Sequence, residues 1–251
     1  MNQTRRNEIV ELLEKQGAVS NAELMESFGI SIETVRRDLA YLEKHGFLER
    51  VYGGAVKRKF MREEPNYVNR ESKNAKEKTV IAKRTGELIE DGESVFFDIG
   101  TTVLEVAKNL NGKRKFNAFT NALRTAIALS ENGVDVTLTG GNLRGGEYAV
   151  SGSIAEGTMR LFNVDKAIIG VAGIDENGVT DFIVQEASLR RQVIENAREV
   201  VVVADFSKFG VRSSCNVCEI EQIDVLITDE KAPRELVKKF EKKGVKVIIA
   251  K

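Results

Sequence analysis

The sequence has 251 residues, of which 42% are hydrophobic and 30% charged, a balance typical of a globular protein that excludes disorder on a large scale. Lysine and arginine total 38, as do aspartate and glutamate, so the net charge gives no hint of a nucleic acid or an acidic partner. Two cysteines, the single histidine His45 and no tryptophan exclude a disulfide framework, a histidine-rich metal site and a Ser-His-Asp relay away from His45.

The N-terminal residues predict three short helices. Residues 5–17 carry apolar side chains at helical spacing and end on a glycine, which suits a left-handed helix cap. Ser20 precedes Glu23 by three residues, the spacing of a capping box, and so predicts the start of a second helix. Ser31 can cap a third helix. The apolar stripe of this third helix consists of Val35, Leu39 and Leu42.

A hairpin is predicted directly after the third helix. Residues 47–52 alternate apolar and polar side chains, and Gly53-Gly54 permits a tight turn into Ala55-Val56. Such a hairpin supplies a wing beside the helices. The flank of this wing would bring towards a nucleic-acid backbone the side chains of Arg50, Tyr52, Lys57 and Arg58.

The third helix, with its apolar stripe turned inward, leaves Thr34, Arg36 and Arg37 on or beside its outer face. In a helix-turn-helix the second helix enters the major groove, where arginine can bind guanine through two hydrogen bonds. Three-helix packing with surface arginines is also common in modules that bind no DNA, and the adjoining wing is what favours DNA binding. The predicted DNA-binding residues are Ser31, Thr34, Arg36, Arg37, Arg50, Tyr52, Lys57 and Arg58.

A second domain is predicted after a linker. Pro65 and the polar run that follows it suggest a linker over 59–75, between a DNA-binding domain at 1–58 and a second domain at 76–251. In this second domain short apolar runs alternate with helical segments. Strands that are apolar on both faces and alternate with helices predict an α/β fold, with a mainly parallel sheet covered on each side.

An anion site is predicted at residues 98–102, Asp-Ile-Gly-Thr-Thr, which follow a predicted strand where a helix begins. Backbone N–H groups at such a junction can bind a phosphate, Gly100 allows close approach, and the hydroxyls of Thr101 and Thr102 add donors. Taken in isolation, the same five residues fit a capped strand-to-helix turn better than an anion site. Because the carboxyl ends of parallel strands gather at one edge of an open sheet, other polar loops can converge there.

The run 31–39, together with Leu42 and residues 46–55, closely resembles the N-terminal winged helix of DeoR-type bacterial transcriptional regulators. One departure is that many members carry histidine where this chain has Tyr52. The resemblance continues through the chain at Asp98-Ile-Gly-Thr-Thr, Thr120-Asn121, Gly140-Gly141 with Arg144, and Asp205-Phe-Ser-Lys-Phe-Gly. It implies a winged helix-turn-helix followed by a Rossmann-like sensor domain related to ribose-5-phosphate isomerase and glucosamine-6-phosphate deaminase.

By this resemblance the second domain binds a phosphorylated sugar or a close relative. Gly100, Thr101 and Thr102 would hold the phosphate, and Arg144 and Lys208 would add positive charge. Asp98, Asn121, Asp175 and Glu186 would meet hydroxyl groups, although a surface ion pair or a loop cap is the alternative for each charged residue. The predicted effector-binding residues are Asp98, Gly100, Thr101, Thr102, Thr120, Asn121, Gly141, Arg144, Asp175, Glu186 and Lys208.

An aldose–ketose isomerase with an accessory DNA-binding domain is the alternative function, because Asp175 and Glu186 could pass a proton between adjacent carbons. Isomerases of this fold place a lysine between the equivalent acidic positions, and residues 178–186 contain none. Cys215 and Cys218 have the spacing of a metal or redox pair, but a zinc site would need two more ligands, so we interpret them as reduced thiols. We therefore expect no catalytic residue, no metal and no cofactor.

The function expected from the sequence is a cytoplasmic transcriptional regulator that represses a carbohydrate-metabolism operon. Its expected partners are double-stranded operator DNA and a sugar-phosphate effector. The longest apolar runs, such as 200–204, are far shorter than the roughly 20 residues that cross a bilayer, so no membrane contact is expected. Because helix-turn-helix proteins read paired half-sites, we expect a homodimer or homotetramer.

Overall fold

The computed structural model describes residues 2–44, 48–57, 59–60, 64–110 and 115–251. It divides into two compact units, Met1–Phe60 and Met61–Lys251, called here the first and the second unit. Within the described ranges, each helix is too short or too polar to pass through a lipid bilayer. His45 and Arg58, which figure in the sequence predictions, lie outside the described residues.

The first unit combines helices with a small antiparallel sheet of strand order β1-β3-β2. Its helices are α1 Asn2–Gln16, α2 Asn21–Phe28 and α3 Ile32–Lys44. Its strands are β1 Ala18–Ser20, β2 Leu48–Val51, β3 Gly54–Lys57 and β4 Lys59–Phe60. The apolar stripe predicted for α3 is buried in one core with residues from α1, α2 and the strands, which confirms the helices and the hairpin.

Strand β1 was not expected from the sequence. Its three residues pair with β3, and Val19 is its buried side chain. Gly54 permits this pairing, because a Cβ at that position would lie 2.0 Å from the carbonyl oxygen of Val19. The capping box at the start of α2 is confirmed, since Ser20 Oγ accepts a hydrogen bond from the Glu23 backbone N–H at 3.1 Å.

A buried carboxylate links α1 to α3. Asp38 accepts hydrogen bonds from Nε of Arg5 at 2.7 Å and from Nε of Arg6 at 2.8 Å. These charge-assisted bonds satisfy a carboxylate that would otherwise be buried at high cost. Arg5 and Arg6 are thus paired with Asp38 within the unit, whereas Arg36 and Arg37 on α3 are exposed.

The second unit is built on a parallel sheet. Within the described residues, this sheet has seven strands in the order β17-β16-β13-β10-β5-β6-β7. The sheet strands are β5 Ser94–Phe97, β6 Asn117–Thr120, β7 Asp135–Leu138, β10 Val164–Gly170, β13 Ala197–Val203, β16 Val225–Asp229 and β17 Lys246–Ala250. The other strands are β8 Asn142–Arg144, β9 Ala149–Ser151, β11 Gly173–Asp175, β12 Gly178–Asp181, β14 Val211–Arg212 and β15 Cys215–Glu219.

Helices cover both faces of the sheet. They are α4 Tyr67–Ser72, α5 Ala75–Gly86, α6 Thr101–Asn109, α7 Leu123–Glu131, α8 Ser153–Met159, α9 Val184–Glu195 and α10 Arg234–Lys242. Phe96 is buried in the core shared with α8, α9 and α10, whereas its neighbour Phe97 is buried in the core shared with α5, α6 and α7. Alternate residues of one strand thus pack on opposite faces, which is why the strands are apolar throughout.

The segment expected to be a linker over 59–75 differs from that expectation. Asn66 caps helix α4 by accepting a hydrogen bond from the Val68 N–H at 3.0 Å. Tyr67, the first residue of the helix, is buried in the core of the second unit, and the guanidinium of Arg124 lies 4.4 Å from its ring centroid. Residues from 66 onward are therefore part of the second unit, because a buried aromatic residue anchors them.

Candidate DNA-binding surface and effector site

Helix α3 presents two unpaired cations. Ser31 lies at its start, where its Oγ accepts a hydrogen bond from the Thr34 N–H at 3.4 Å and lies 3.2 Å from Thr34 Oγ1. Both residues are thus engaged in capping the helix. Arg36 and Arg37 are exposed and make no hydrogen bond or ion pair with any residue that the structure describes. Their guanidinium groups are free to reach a base edge or a phosphate.

The wing carries the remaining predicted DNA contacts. The guanidinium of Arg50 pairs with Glu43, with Nε 2.9 Å from Oε2, in a half-exposed ion pair. Tyr52, at the turn of the hairpin, is 97% exposed. Lys57 ends strand β3, and its side chain, like Arg58, lies outside the part of the chain that the structure describes. Arg50 can contact DNA only by giving up or sharing its partner.

The predicted anion site lies where β5 ends and α6 begins. Gly100 is the N-cap residue of α6 and has a φ of 120°. Residues that carry a side chain rarely adopt this backbone conformation. No side chain caps this helix. The N–H groups of its first turn, from Thr101 onward, therefore lack an acceptor within the helix and can bind an anion.

A cationic cavity of about 230 Å³ adjoins the start of α6. Its lining combines the side chain of Thr101 with four basic residues, and Asp205 is its acidic member. The lining residues are Pro65, Asn69, Arg70, Lys73, Asn74, Lys78, Thr101, Asp205, Ser207 and Lys208. The structure thus brings predicted residues Thr101 and Lys208 together, beside cations that the sequence did not single out.

The lysines of this cavity are held in different ways. The Lys78 amine donates hydrogen bonds to the carbonyl oxygens of Arg70 and Lys73, the latter at 2.7 Å, and burial lowers its pKa to about 8. Burial also lowers the pKa of Lys208, although the neighbouring carboxylate of Asp205 opposes this effect. Lys208 Nζ has no hydrogen-bond acceptor among the described residues, so a bound anion could supply one.

Asp205 positions the loop that carries Lys208. One of its oxygens accepts hydrogen bonds from the Ser207 N–H at 2.9 Å and from Asn74 Nδ2 at 2.9 Å. Asn74 is the N-cap residue of α5 and has a left-handed backbone conformation, with φ 55°. Its side chain therefore connects the start of α5 to the loop that carries Lys208. The loop is thereby held against the cavity wall by a buried carboxylate.

Charged residues form a continuous chain along the same edge of the sheet. Arg70 pairs with Glu147 and with Glu64, whose Oε1 lies 3.1 Å from Arg70 Nη2. The other oxygen of Glu64 accepts a hydrogen bond from Arg144 Nη1 at 2.8 Å. Arg144 Nε in turn donates to Glu186 Oε1 at 2.7 Å. Glu147, Arg70, Glu64, Arg144 and Glu186 therefore alternate in sign.

Four buried polar atoms at this edge have no hydrogen-bond partner among the described residues. They are Asp98 Oδ1, Asn121 Oδ1, Arg144 Nη2 and Glu186 Oε2. Buried polar groups are normally paired, so orphaned acceptors and donors of this kind suit the hydroxyl groups of a ligand or ordered water. Burial raises the pKa of Glu186 to about 7, and the hydrogen bond from Arg144 opposes that shift.

Three predicted residues serve the local backbone. Thr120 Oγ1 donates to the Phe97 carbonyl at 2.7 Å and accepts from the Ala122 N–H at 3.1 Å, which couples the ends of β5 and β6. Gly141 has φ 115°, and a Cβ there would lie 2.6 Å from the Ser151 carbonyl oxygen. Thr102 is buried in the first turn of α6. These residues shape the site, and their contact with a ligand stays a prediction.

Two of the predicted acidic residues are paired with arginines. Asp98 is fully buried, and its Oδ2 accepts from Arg190 Nε at 2.5 Å and from the Gly170 N–H at 3.1 Å, so this oxygen is not available to a ligand. Burial raises the pKa of Asp98, and Arg190 opposes that shift. Asp175 lies in strand β11, and its Oδ2 lies 3.1 Å from Nη1 of Arg212.

Sequence reasoning missed Glu64, Arg70, Lys73, Lys78 and Arg190. The first four fall in or next to the stretch interpreted as a linker, where the sequence shows Pro65 followed by a polar run. Arg190 belongs to a helix that was predicted, and its partner Asp98 is 92 residues away in sequence. No local pattern encodes a contact of that kind.

Comparison with known protein families identifies both units. Residues 5–59 match the model of the DeoR-like helix-turn-helix domain, and residues 73–230 match that of the DeoR C-terminal sensor domain. The chain belongs to the DeoR family. The DeoR resemblance predicted from the sequence, and the fold class of a winged helix followed by an α/β domain, are both confirmed.

Relatives within the DeoR family match along nearly the whole chain. The HTH-type transcriptional regulator GolR of Listeria innocua is 34% identical over 98% of both chains. GlpR of Haloferax volcanii, also named an HTH-type transcriptional regulator, is 38% identical over 97% of this chain and 96% of its own. The glycerol-3-phosphate regulon repressor of Escherichia coli is 36% identical over 93% of each chain. The DeoR-family chain described here is therefore a DNA-binding transcriptional regulator.

A distant likeness links this DeoR-family chain to an enzyme. The structure of ribose 5-phosphate isomerase A from Methanocaldococcus jannaschii matches at 17% identity with a TM-score of 0.42, over 54% of this chain and 55% of that chain. A likeness of this size concerns the arrangement of strands and helices at most. The names of the close relatives, by contrast, are those of regulators, in agreement with the expectation that this protein is not an isomerase.

Proposed function

We propose that this DeoR-family regulator represses a carbohydrate-metabolism operon and that a phosphorylated sugar controls it by binding at the carboxyl edge of the parallel sheet. The observation that carries this proposal is the cationic cavity beside the uncapped start of α6. One relative is named for the glycerol-3-phosphate regulon, which supports a phosphorylated polyol as the class of effector.

Each part of the effector has a matching set of groups. The phosphate would accept hydrogen bonds from the first-turn N–H groups of α6 and from Lys208, whose amine has no other acceptor among the described residues. The hydroxyl groups would pair with Asn121 Oδ1 and Glu186 Oε2, which are buried and have no hydrogen-bond partner in the part of the chain that the structure describes. Groups that suit a phosphate beside groups that suit hydroxyls support a sugar phosphate, rather than a free sugar, as the ligand.

DNA binding is assigned to α3 and the wing. Arg36 and Arg37 would contact bases or phosphates in the major groove, and exposed Tyr52 would lie against the backbone. We propose a cytoplasmic homodimer or homotetramer, since paired helices read half-sites about one helical turn apart. Binding of effector and DNA must be reciprocally coupled, with typical coupling energies of about 1–3 kcal/mol.

The effector half is tested by thermal shift. Purified protein is heated with a panel of phosphorylated three- to six-carbon sugars and polyols, including glycerol 3-phosphate, and with their unphosphorylated counterparts. We expect at least one phosphorylated compound, and none of the counterparts, to raise the melting temperature, because a ligand that binds only the folded state stabilises it. Lys208→Gln should abolish this shift, whereas Lys238→Gln, which changes an exposed lysine of α10, should preserve it.

Two results would contradict the proposal. One is the absence of stabilisation by any phosphorylated compound. The other is sustained isomerisation of a sugar phosphate by the purified protein, abolished in Glu186→Gln, which would identify an enzyme instead.

A further inference from the structure

Glu64 places a carboxylate between two arginines at the effector edge of the sheet. Its Oε1 lies 3.1 Å from Arg70 Nη2, and its Oε2 lies 2.8 Å from Arg144 Nη1. The side chain of Glu64 is only 16% exposed. Each of the two guanidinium groups thus binds a different oxygen of one anion. Arginines bind a phosphoryl group in the same arrangement.

The position occupied by Glu64 is continuous with the cationic cavity. Arg70 lines that cavity, and the charges of both Arg70 and Glu64 act on the amine of Lys208, so all three lie within electrostatic reach of one another. Arg144 Nη2 is buried and has no acceptor among the described residues. A phosphoryl group has three terminal oxygens where a carboxylate has two, and so could use this remaining donor.

Release of Glu64 would leave neither arginine without an anionic partner. Arg70 also pairs with Glu147, and Arg144 also donates to Glu186 at 2.7 Å. The large penalty for a buried, unpaired charge therefore does not oppose the exchange. A dianionic phosphate would replace one carboxylate in a site that keeps its other charges.

We propose that Glu64 is an internal competitor of the effector, bound by Arg70 and Arg144 in the effector-free state and displaced by the effector's phosphate. This inference rests on the proposed function and adds its means of regulation. Glu64 follows Phe60, the last residue of the first unit, by four positions in the sequence. The two states differ in one defined set of contacts, as a ligand-driven switch requires.

The test measures the affinity of inorganic phosphate and of glycerol 3-phosphate for the full-length protein by calorimetry. Suppose that Glu64 is bound by both arginines in about nine-tenths of the molecules, so that about one-tenth can accept the probe. Glu64→Gln should then lower the Kd for both probes roughly tenfold, because every molecule can accept the probe. Glu64→Asp, whose shorter side chain cannot span both arginines, should lie between this variant and the wild type. The matched control is Glu71→Gln, since Glu71 lies nearby in helix α4, is half-exposed and has its Oε1 3.5 Å from Lys108 Nζ; this variant should bind as the wild type does.

Hydrogen exchange supplies a second readout that affinity alone does not give. Inorganic phosphate should accelerate amide exchange at residues 64–70 in the wild type, whereas Glu64→Gln should show the faster exchange without phosphate. Equal Kd values and equal exchange in the wild type, Glu64→Gln and Glu71→Gln, with binding intact, would overturn the competitor and leave the proposed effector site standing. Failure of all four proteins to bind either probe would count against the proposed function and this inference together.

Discussion

Glu186 shows how burial of a single residue sets the chemistry of the effector edge. Its side chain is almost completely buried, which raises its pKa to about 7, while the hydrogen bond from Arg144 favours the ionised form. Near neutral pH this carboxyl therefore exists in both protonation states. A protonated Glu186 can donate a hydrogen bond to a ligand oxygen, and an ionised one can only accept.

The first residue-scale prediction concerns stability and pH. Because the folded pKa of Glu186 lies above the ordinary value of 4.5, the folded state binds more protons than the unfolded state between pH 4.5 and about 7. The associated stability is fully present below pH 4.5 and is lost as the pH rises through 7. At about 1.4 kcal/mol for each pH unit, the loss amounts to at most about 3 kcal/mol.

The measurement is urea unfolding of the wild type and Glu186→Gln at pH 4.5, 6 and 8. The variant cannot titrate at this position, so the wild type should lose stability relative to it as the pH rises. A difference between the two proteins that stays constant across this range would show that Glu186 has an ordinary pKa.

At the scale of elements, the sequence predicted those features that depend on residues close together in the chain. The stripe of Val35, Leu39 and Leu42 encodes the inward face of α3, and all three side chains are buried. Apolar runs such as 200–204 predicted a parallel sheet, because neighbouring side chains must both be buried when helices cover each face. These features depend on residues a few positions apart.

The site residues that the sequence did not predict are held by contacts between residues far apart in the chain. The ion pair between Arg70 and Glu147 joins residues 77 positions apart, and the stretch around Arg70 has neither helical nor strand periodicity long enough to stand out. The same stretch was therefore interpreted as a linker. The pairing of Asp175 with Arg212 was also not predictable, since Asp175 lies in a hairpin of β11 and β12, and the position of this hairpin depends on the pairing of β12 with β15.

The prediction at the scale of elements concerns α3. The double variant Arg36→Ala, Arg37→Ala should lose about 1–3 kcal/mol of discrimination between the operator and unrelated DNA if either arginine reads a guanine. The operator is first selected from random duplexes by the wild-type protein, and binding is then followed by fluorescence anisotropy at several salt concentrations. The slope of affinity against salt should also become shallower, because fewer counterions are released.

A matched control separates this effect from general loss of charge. The double variant Arg84→Ala, Arg160→Ala removes two largely exposed arginines of the second unit, at 44% and 64% side-chain exposure. It should bind the operator as the wild type does. Operator affinity that is unchanged in the α3 variant would reject the assignment of this helix to the major groove.

For the whole molecule, regulation by an effector requires that effector binding to the second unit change the free energy of DNA binding by the first. Among the residues that the structure describes, the first unit carries unpaired cations on α3, and the second carries a cationic cavity beside polar groups without partners. Neither feature alone makes a regulator that responds to a metabolite. By linkage, an effector that weakens DNA binding by a given factor must itself bind more weakly to the DNA complex by the same factor.

The most direct measurement is the affinity of the full-length protein for its selected operator, with and without saturating amounts of the phosphorylated compound that stabilises it. We expect the compound to change the Kd for DNA by about 5–150-fold, the usual range for coupled sites. Lys208→Gln should bind DNA normally and lose the response to the same compound. An operator affinity that stays the same when the effector site is saturated would contradict the account.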